Sequence, residues 1–154
     1  MNGIKCKIWL ATLLVIFLIT VPAGAAGGPN LAASAAILMD FTTGKVIFAK
    51  NSTERRAPAS TTKILTALVA LERGELNQVI TTSHNASKIG GSSIWLAPGE
   101  KHTLKELLYG ILLNSGNDAS VAVAEGLAGS EVKFAEWMNE KARAIGAKDT
   151  CFKN

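Results

Sequence analysis

Ser60 and Lys63 are the residues of this sequence whose types and spacing first suggest chemistry. A serine hydroxyl is a poor nucleophile at neutral pH and needs a neighbouring base to take its proton as it attacks a carbonyl. Side chains three residues apart on a helix lie on one face, so the Lys63 amine can reach the Ser60 hydroxyl. The apolar residues that follow would desolvate the ammonium and lower its pKa. The pair therefore predicts a serine nucleophile with a lysine base.

The position of Ser60 at the start of a helix adds a second effect. Pro58 disfavours helix before it, and serine is a good residue to begin one. Unpaired backbone N–H groups and the positive end of the helix dipole favour negative charge at such a start. The helix start therefore predicts stabilisation of the negative charge that builds on the substrate oxygen during attack.

The same Ser-x-x-Lys spacing recurs at Ser130 and Lys133, so the pattern alone is not specific. The residues around Lys133 are mixed rather than continuously apolar. We therefore predict that Ser130 is a structural helix N-cap and that Lys133 is exposed to solvent. The helix after Ser130 has an apolar stripe formed by Phe134, Trp137, Met138 and Ile145.

Ser115-Gly116-Asn117 is a second polar cluster, in a tight turn between two apolar helices. Its side chains could project into a cleft together with Ser60 and Lys63. The structural alternative is a plain helix connection in which Asn117 or Asp118 caps the next helix. Ser83-His84-Asn85 repeats the Ser-x-Asn pattern, so this alternative stays open on the residues alone.

Alternation and turn residues predict a β-hairpin near the start of the mature chain. Two apolar runs, 35–40 and 45–49, flank the turn sequence Phe41-Thr42-Thr43-Gly44. Beyond the hairpin, residues 63–72 are apolar almost all round. That pattern predicts a helix buried on most sides, which Gly74 ends.

Two more helices are expected on either side of the Ser115 turn. Thr103 and Glu106 have the spacing of a capping box and precede an apolar pattern that ends near Leu113. Residues 114–118 are polar and predict the turn itself. Residues 119–127 predict the following helix. Upstream, Gly90-Gly91-Ser92-Ser93 is typical of a loop.

Residues 1–25 have the pattern of a secretory signal peptide. Lys5 and Lys7 form a basic start, residues 8–21 are apolar, and Ala23-Gly24-Ala25 is a small-residue cleavage site. The alternative is an uncleaved membrane anchor, but the apolar run is shorter than the roughly 20 residues that a spanning helix needs. The sequence therefore predicts an exported protein whose mature chain begins near residue 26.

Composition excludes several classes of protein. The formal net charge is +4, and two of the positive charges, Lys5 and Lys7, lie in the leader. In the rest of the chain, basic and acidic residues are interspersed, so nothing indicates nucleic-acid binding. Cys6 would leave with the leader, and Cys151 alone cannot form an internal disulfide. His84 and His102 lack the neighbouring ligands of a zinc site. We expect one domain without a metal or other cofactor.

Taken together, the motifs resemble the serine D-Ala-D-Ala carboxypeptidases, which are low-molecular-mass penicillin-binding proteins and share a fold and mechanism with class A β-lactamases. The similarity covers nearly all of the mature chain in sequence order. Gly116 fits the carboxypeptidase pattern, whereas β-lactamases usually have aspartate at that place. The matching segments are Asp40 to Lys45, Ala59 to Lys63, Gly90-Gly91-Ser92, Pro98-Gly99-Glu100, Ser115 to Ser120, Gly129-Ser130-Glu131, Met138 to Ala142 and Phe152-Lys153-Asn154.

The resemblance implies a mixed α and β fold of the β-lactamase/transpeptidase type, with an antiparallel sheet packed against helices and a helical subdomain. It also implies the chemistry: Ser60 is acylated by the penultimate D-alanine of a peptidoglycan pentapeptide, with Lys63 as base. Ser115 relays a proton to the leaving amine. Asn117 binds the substrate backbone and helps to hold Lys63. β-Lactam antibiotics resemble the D-alanyl terminus and are expected to acylate Ser60 too.

One departure from the family pattern sets the expected extent of the site. The family has a later strand with a Lys-Thr-Gly motif. That strand binds the substrate carboxylate and precedes one N–H group of the oxyanion hole. This sequence contains no Lys-Thr-Gly. Residues 26–154 are therefore interpreted as the N-terminal part of a catalytic domain without its C-terminal strands. The alternatives are a β-lactamase-like hydrolase and an inactive remnant that only binds cell wall. Membrane association through a further C-terminal segment is an expectation from the resemblance.

Overall fold

The computed structural model describes residues 29–153. The predicted signal peptide of residues 1–25 lies outside the described residues. The chain divides into two compact units, which separate between Arg56 and Ala57. No helix in the described part of the chain is long and apolar enough to cross a membrane.

The first unit contains the predicted β-hairpin. Strands β1 (Ala36–Met39) and β2 (Val46–Lys50) pair antiparallel, with a register shift between Leu38 and Met39. The Asp40 carboxylate stabilises the turn because it accepts hydrogen bonds from the Thr43 N–H at 2.7 Å and from the Thr43 hydroxyl at 2.6 Å. The hairpin prediction is confirmed.

The second unit begins with the segment that carries Ser60. A single 3-10 turn, Ala59–Thr61, leads into helix α1 (Thr62–Arg73), and Gly74 follows the helix as predicted. The buried face of α1 consists of Thr66, Ala67, Val69 and Ala70. Ile64 and Leu71 are 66% and 51% exposed. The expectation of burial on most sides is therefore wrong, because α1 packs along one face only in the described unit.

A small sheet that the sequence patterns did not predict follows α1. Strand β3 (Val79–Thr81) pairs antiparallel with β4 (Lys101–Thr103). Each strand has three residues, which is too short for a hydrophobic alternation to be recognised. Helix α2 (Leu104–Asn114) starts directly after β4, and its N-terminus has the capping box predicted from Thr103 and Glu106.

Helix α2 is connected to helix α3 (Asn117–Ala128) by Ser115 and Gly116 alone. Ser115 is in the left-handed region, with φ of 58°, so the chain reverses within two residues. The predicted turn is thus shorter than expected, and Asn117 is the first residue of α3 rather than part of the loop before it.

Helix α4 (Glu131–Ala144) completes the described unit, and its N-cap is Ser130 as predicted. Phe134 and Met138 are buried, but Ile145 lies beyond the helix and is 57% exposed. The predicted apolar stripe is therefore wrong at its C-terminal end, where Ala142 is buried instead. The four helices of residues 57–153 share one core, which includes Val69, Leu104, Leu107, Ile111, Val123 and Phe134.

Candidate active site

The four residues predicted to act in the site lie at the starts of two neighbouring helices. Ser60 is in the 3-10 turn before α1, and Lys63 is in the first turn of α1. Ser115 connects α2 to α3, and Asn117 begins α3. Because α1 packs against both α2 and α3, residues more than 50 positions apart in the sequence come into hydrogen-bond contact.

A chain of hydrogen bonds joins these four side chains. The Lys63 Nζ donates to Asn117 Oδ1 at 2.6 Å and to Ser115 Oγ at 3.1 Å. The Ser115 hydroxyl in turn donates to Ser60 Oγ at 2.9 Å. Helical spacing alone suggested a direct contact between Lys63 and Ser60, whereas the structure connects them through Ser115.

This arrangement has the geometry of a proton path. The heavy-atom distances fit hydroxyl hydrogens that point either way along the path. With a neutral lysine, Ser60 can donate to Ser115 while Ser115 donates to Lys63 Nζ, so a proton can leave Ser60 as its oxygen attacks. Desolvation by burial lowers the pKa of Lys63, which makes the neutral amine more accessible than in an exposed lysine.

Two residues in or next to this hydrogen-bonded chain have an unusual backbone conformation. In the described part of the chain, Asn51, Ala59, Trp95 and Ser115 are the non-glycine residues with positive φ. Ala59 precedes Ser60 directly, and Ser115 is itself in the hydrogen-bonded chain. Positive φ in such residues is uncommon, and such strain tends to occur at functional sites. The strain supports a functional role for this region.

A cavity of about 520 Å³ opens beside the hydrogen-bonded chain. Ser60, Lys63 and Asn117 contribute to its lining, and α3 and α4 supply mostly apolar side chains together with one carboxylate. Concave, largely apolar cavities with a few convergent polar groups are typical ligand sites. The lining residues from α3 and α4 are Ser120, Val121, Ala124, Glu131, Phe134, Ala135 and Met138.

Asn117 also binds the loop before Pro98, a contact that the sequence did not predict. Its Nδ2 donates to the Gly90 carbonyl at 2.8 Å, and its backbone N–H donates to the Ser92 carbonyl at 2.7 Å. The backbone at Gly90 and Ser92 is therefore held against the start of α3. The Gly/Ser composition of this segment predicts a loop but does not identify the residues that the loop contacts.

Asp118 holds the next part of that loop. The residue is 1% exposed, and its carboxylate accepts hydrogen bonds from the Ser93 hydroxyl at 2.6 Å and from the backbone N–H groups of Ile94, Leu96 and Ala119 at 3.1, 3.0 and 2.9 Å. Burial raises the pKa of Asp118, but the hydrogen bonds from Ser93, Leu96, Ile94 and Ala119 outweigh it and hold the pKa below its usual range. The sequence indicated Asp118 only as a possible helix cap.

Replacing Asp118 with alanine is expected to lower the free energy of unfolding by about 3 kcal/mol. The substitution leaves three donors of the Ser93–Leu96 segment without their charged acceptor, and orphaned buried donors are strongly destabilising. In the unsubstituted protein, the part of this stabilisation that depends on the ionised carboxylate is present above the usual aspartate pKa of 3.8 and is lost as the pH falls through the lowered folded-state pKa of Asp118. Urea unfolding measured at neutral pH tests the prediction.

Glu136→Ala is the matched control for Asp118→Ala. Glu136 forms an exposed ion pair with Lys133 at 2.6 Å, and pairs of this kind contribute little to stability because solvent screens them. The control removes a carboxylate from the exposed face of α4 without uncovering a buried donor. Equal urea midpoints for the two variants would contradict the role assigned to Asp118.

The two repeated patterns have structural roles, as predicted for Ser130. The Ser130 hydroxyl accepts the Lys133 N–H at the start of α4, and the exposed Lys133 side chain pairs with Glu136. The Ser83 hydroxyl donates to the Glu125 carboxylate on α3, and Asn85 Nδ2 donates to the same carboxylate at 2.9 Å. Ser130 therefore caps α4, and Ser83 and Asn85 attach their segment to α3.

The residue types that bind metals are scattered. His84 and the thiol of Cys151 are exposed, and His102 Nε2 lies 3.0 Å from Glu100 Oε1 in the small sheet. Within residues 29–153, no group of three His, Cys, Asp or Glu residues could hold a metal ion.

Comparisons with protein families, curated proteins and solved structures all identify D-alanyl-D-alanine carboxypeptidases as similar proteins. A D-alanyl-D-alanine carboxypeptidase family profile matches residues 23–154. D-alanyl-D-alanine carboxypeptidase DacF of Bacillus subtilis is 51% identical over 127 residues, which cover 79% of this chain and 33% of DacF. Among solved structures, D-alanyl-D-alanine carboxypeptidase DacD from Francisella tularensis matches with a TM-score of 0.75 and 39% identity, over 82% of this chain and 32% of that one.

Penicillin binding protein 6B from Escherichia coli is also similar, with a TM-score of 0.73 and 34% identity over 81% of this chain and 43% of that chain. These likenesses confirm the predicted fold class, the mixed α and β fold of penicillin-binding proteins. The chain spans about a third of the length of DacF and of the Francisella protein. The match of the family profile to most of its residues shows that this chain belongs to the D-alanyl-D-alanine carboxypeptidase family.

Proposed function

We propose that the complete protein is a serine-type D-Ala-D-Ala carboxypeptidase, which removes the terminal D-alanine from peptidoglycan stem peptides. The observation that carries the proposal is the hydrogen-bonded chain from Lys63 through Ser115 to Ser60, in a member of this family. Ser60 is exposed, so a substrate carbonyl can approach it from solvent. A desolvated lysine and a reachable hydroxyl are the parts that acyl transfer requires.

The first half of the reaction forms an acyl-enzyme. Ser60 Oγ attacks the carbonyl carbon of the penultimate D-alanine, and its proton passes through Ser115 to the neutral Lys63 amine. The C–N bond to the terminal D-alanine then breaks. Lys63 returns the proton through Ser115 to the departing amine nitrogen, so the terminal residue leaves as neutral D-alanine amine and Lys63 is neutral again.

The second half hydrolyses the ester on Ser60. Water adds to the acyl carbon and the C–Oγ bond breaks; one hydrogen of the water passes to Ser60 Oγ, and the shortened peptide leaves as a carboxylic acid that loses its proton to solvent. Asn117 has two roles in the proposal. Its Oδ1 accepts a hydrogen bond from Lys63 at 2.6 Å, and its Nδ2, which donates one hydrogen to the Gly90 carbonyl, would donate its second hydrogen to the peptide backbone of a bound substrate.

The setting of the enzyme is proposed from the sequence and its relatives. Residues 1–25 are proposed to be a signal peptide that directs export, and residues 26–154 to be the N-terminal part of the catalytic domain. The proposed activity is that of a protein that also has a Lys-Thr-Gly strand. In the family this strand precedes one N–H group of the oxyanion hole, and such a donor contributes on the order of a hundredfold or more in rate. Membrane attachment is proposed through a further C-terminal segment.

The test combines covalent labelling with product detection. The complete protein encoded by the gene is incubated with a fluorescent penicillin, and peptide mapping by mass spectrometry locates the adduct. We expect the adduct on the peptide that contains Ser60. A second assay measures D-alanine released from an N-acylated peptide ending in D-Ala-D-Ala.

Each outcome of the two assays has a distinct reading. An adduct on Ser60 together with D-alanine release supports the carboxypeptidase. Rapid turnover of the penicillin without D-alanine release would instead support a β-lactamase-like hydrolase. Absence of both labelling and release would contradict an enzymatic role.

A further inference from the structure

Gly91 lies between two residues that Asn117 holds. The Asn117 side chain donates to the Gly90 carbonyl at 2.8 Å, and the Asn117 backbone N–H donates to the Ser92 carbonyl at 2.7 Å. These two bonds bring the backbone at Gly91 directly against the Asn117 amide. The loop and the start of α3 are therefore in contact at Gly91.

The Asn117 amide uses both of its ends in this structure. Its Oδ1 accepts a hydrogen bond from Lys63 Nζ at 2.6 Å, while its Nδ2 donates to the Gly90 carbonyl. The amide group is planar and rigid, so the two bonds are set together. A displacement of Nδ2 also moves Oδ1 relative to Lys63, and Lys63 in turn donates to Ser115.

A side chain at position 91 would enter the space that this amide occupies. Gly91 has a φ of +89°, and a Cβ atom placed there would lie 2.6 Å from Asn117 Nδ2. Real Cβ atoms essentially never approach another heavy atom closer than 3.0 Å. Either the loop or the end of the Asn117 side chain would have to shift, and a shift of the amide would disturb its bond to Gly90 or its bond to Lys63.

We propose that Gly91 is a positioning residue for the acylation of Ser60. By lacking a side chain, it leaves the space in which the Asn117 amide lies, and the amide holds the Lys63 amine towards Ser115 and Ser60. Gly91 acts only through Asn117 and does not touch the reacting atoms. The inference rests on the proposed function, and it adds a residue outside the predicted set of four.

The experiment compares Gly91→Ala with Gly99→Ala in the complete protein. Gly99 has a φ of +80°, similar to that of Gly91, but a Cβ at Gly99 meets no heavy atom within 4 Å. Both variants therefore introduce the same kind of backbone strain, and only Gly91→Ala collides with the amide. Thermal unfolding of both variants shows whether they fold.

Gly91→Ala is expected to reduce the second-order rate of Ser60 acylation by penicillin about tenfold to a hundredfold, because misplacement of a catalytic group by about 1 Å has effects of that size. Gly99→Ala is expected to change the rate less than about threefold. In an Asn117→Ala background, Gly91→Ala is expected to have little further effect, because the colliding amide is gone. This non-additivity is a readout that general destabilisation would not produce.

The outcomes separate the positioning role from the proposed function. If the unsubstituted protein is labelled at Ser60 but the two glycine variants react at equal rates, the positioning role is wrong and the function stands. A full additional loss from Gly91→Ala in the Asn117→Ala background would also contradict it. If the unsubstituted protein is not labelled at all, both the function and the positioning role are wrong.

Discussion

Ser60→Ala is expected to abolish covalent labelling of the complete protein by a fluorescent penicillin and to stop the release of D-alanine. Alanine has no oxygen with which to form the acyl ester, so the loss should be complete rather than graded. The Ser115 hydroxyl, 2.9 Å from Ser60 Oγ, remains in the variant, but in the proposed mechanism it passes a proton to Lys63 and does not attack the carbonyl. Gel fluorescence and the mass of the intact protein measure the adduct.

Ser130→Ala is the matched control, since Ser130 has the same spacing to a lysine. The Ser130 hydroxyl caps α4 by accepting the Lys133 N–H at 3.1 Å, and Lys133 is paired with Glu136. The control should keep full labelling and lose about 1 kcal/mol in the free energy of unfolding, the usual effect of removing an N-cap serine. Labelling that survives in Ser60→Ala, or that disappears in Ser130→Ala, would overturn the choice of nucleophile.

Local patterns were enough to predict most of the helical elements. The capping box of Thr103 and Glu106 and the N-cap at Ser130 depend only on residues within one turn, and both form as expected. The buried face of α1 could not be predicted in the same way. Its residues are apolar almost all round, so the sequence contains no polar face to show that Ile64 and Leu71 are exposed.

The site shows the same division between local and distant information. The spacing of Ser60 and Lys63 follows from one helical turn, whereas the place of Ser115 between them depends on how α2 and α3 pack against α1. The roles of Asp118 and Gly91 depend on a loop that approaches α3 from more than 20 residues upstream. No short pattern contains such a contact, and only the Gly/Ser-rich composition indicated the loop.

Lys63→Met is expected to slow acylation of Ser60 about a thousandfold, within the range that general-base catalysis contributes. Methionine has a similar length and fits an apolar setting, but it cannot accept the proton that Ser60 passes to Ser115. The measurement is the second-order rate of penicillin labelling as a function of pH. Far-UV circular dichroism confirms that the variant is folded.

The pH dependence tests the role of Lys63 more directly than the rate at a single pH. The neutral amine is the active base, so labelling by the unsubstituted protein should rise with pH through the Lys63 pKa and level off above it. Because desolvation lowers that pKa from the usual 10.5, the rise should occur at lower pH than an exposed lysine would give. Lys63→Met should remove this rise, whereas Lys133→Met should leave it unchanged. If the labelling rate of Lys63→Met still rose with pH, another group would be the base, and the proton of Ser60 would have to pass to that group instead of Lys63.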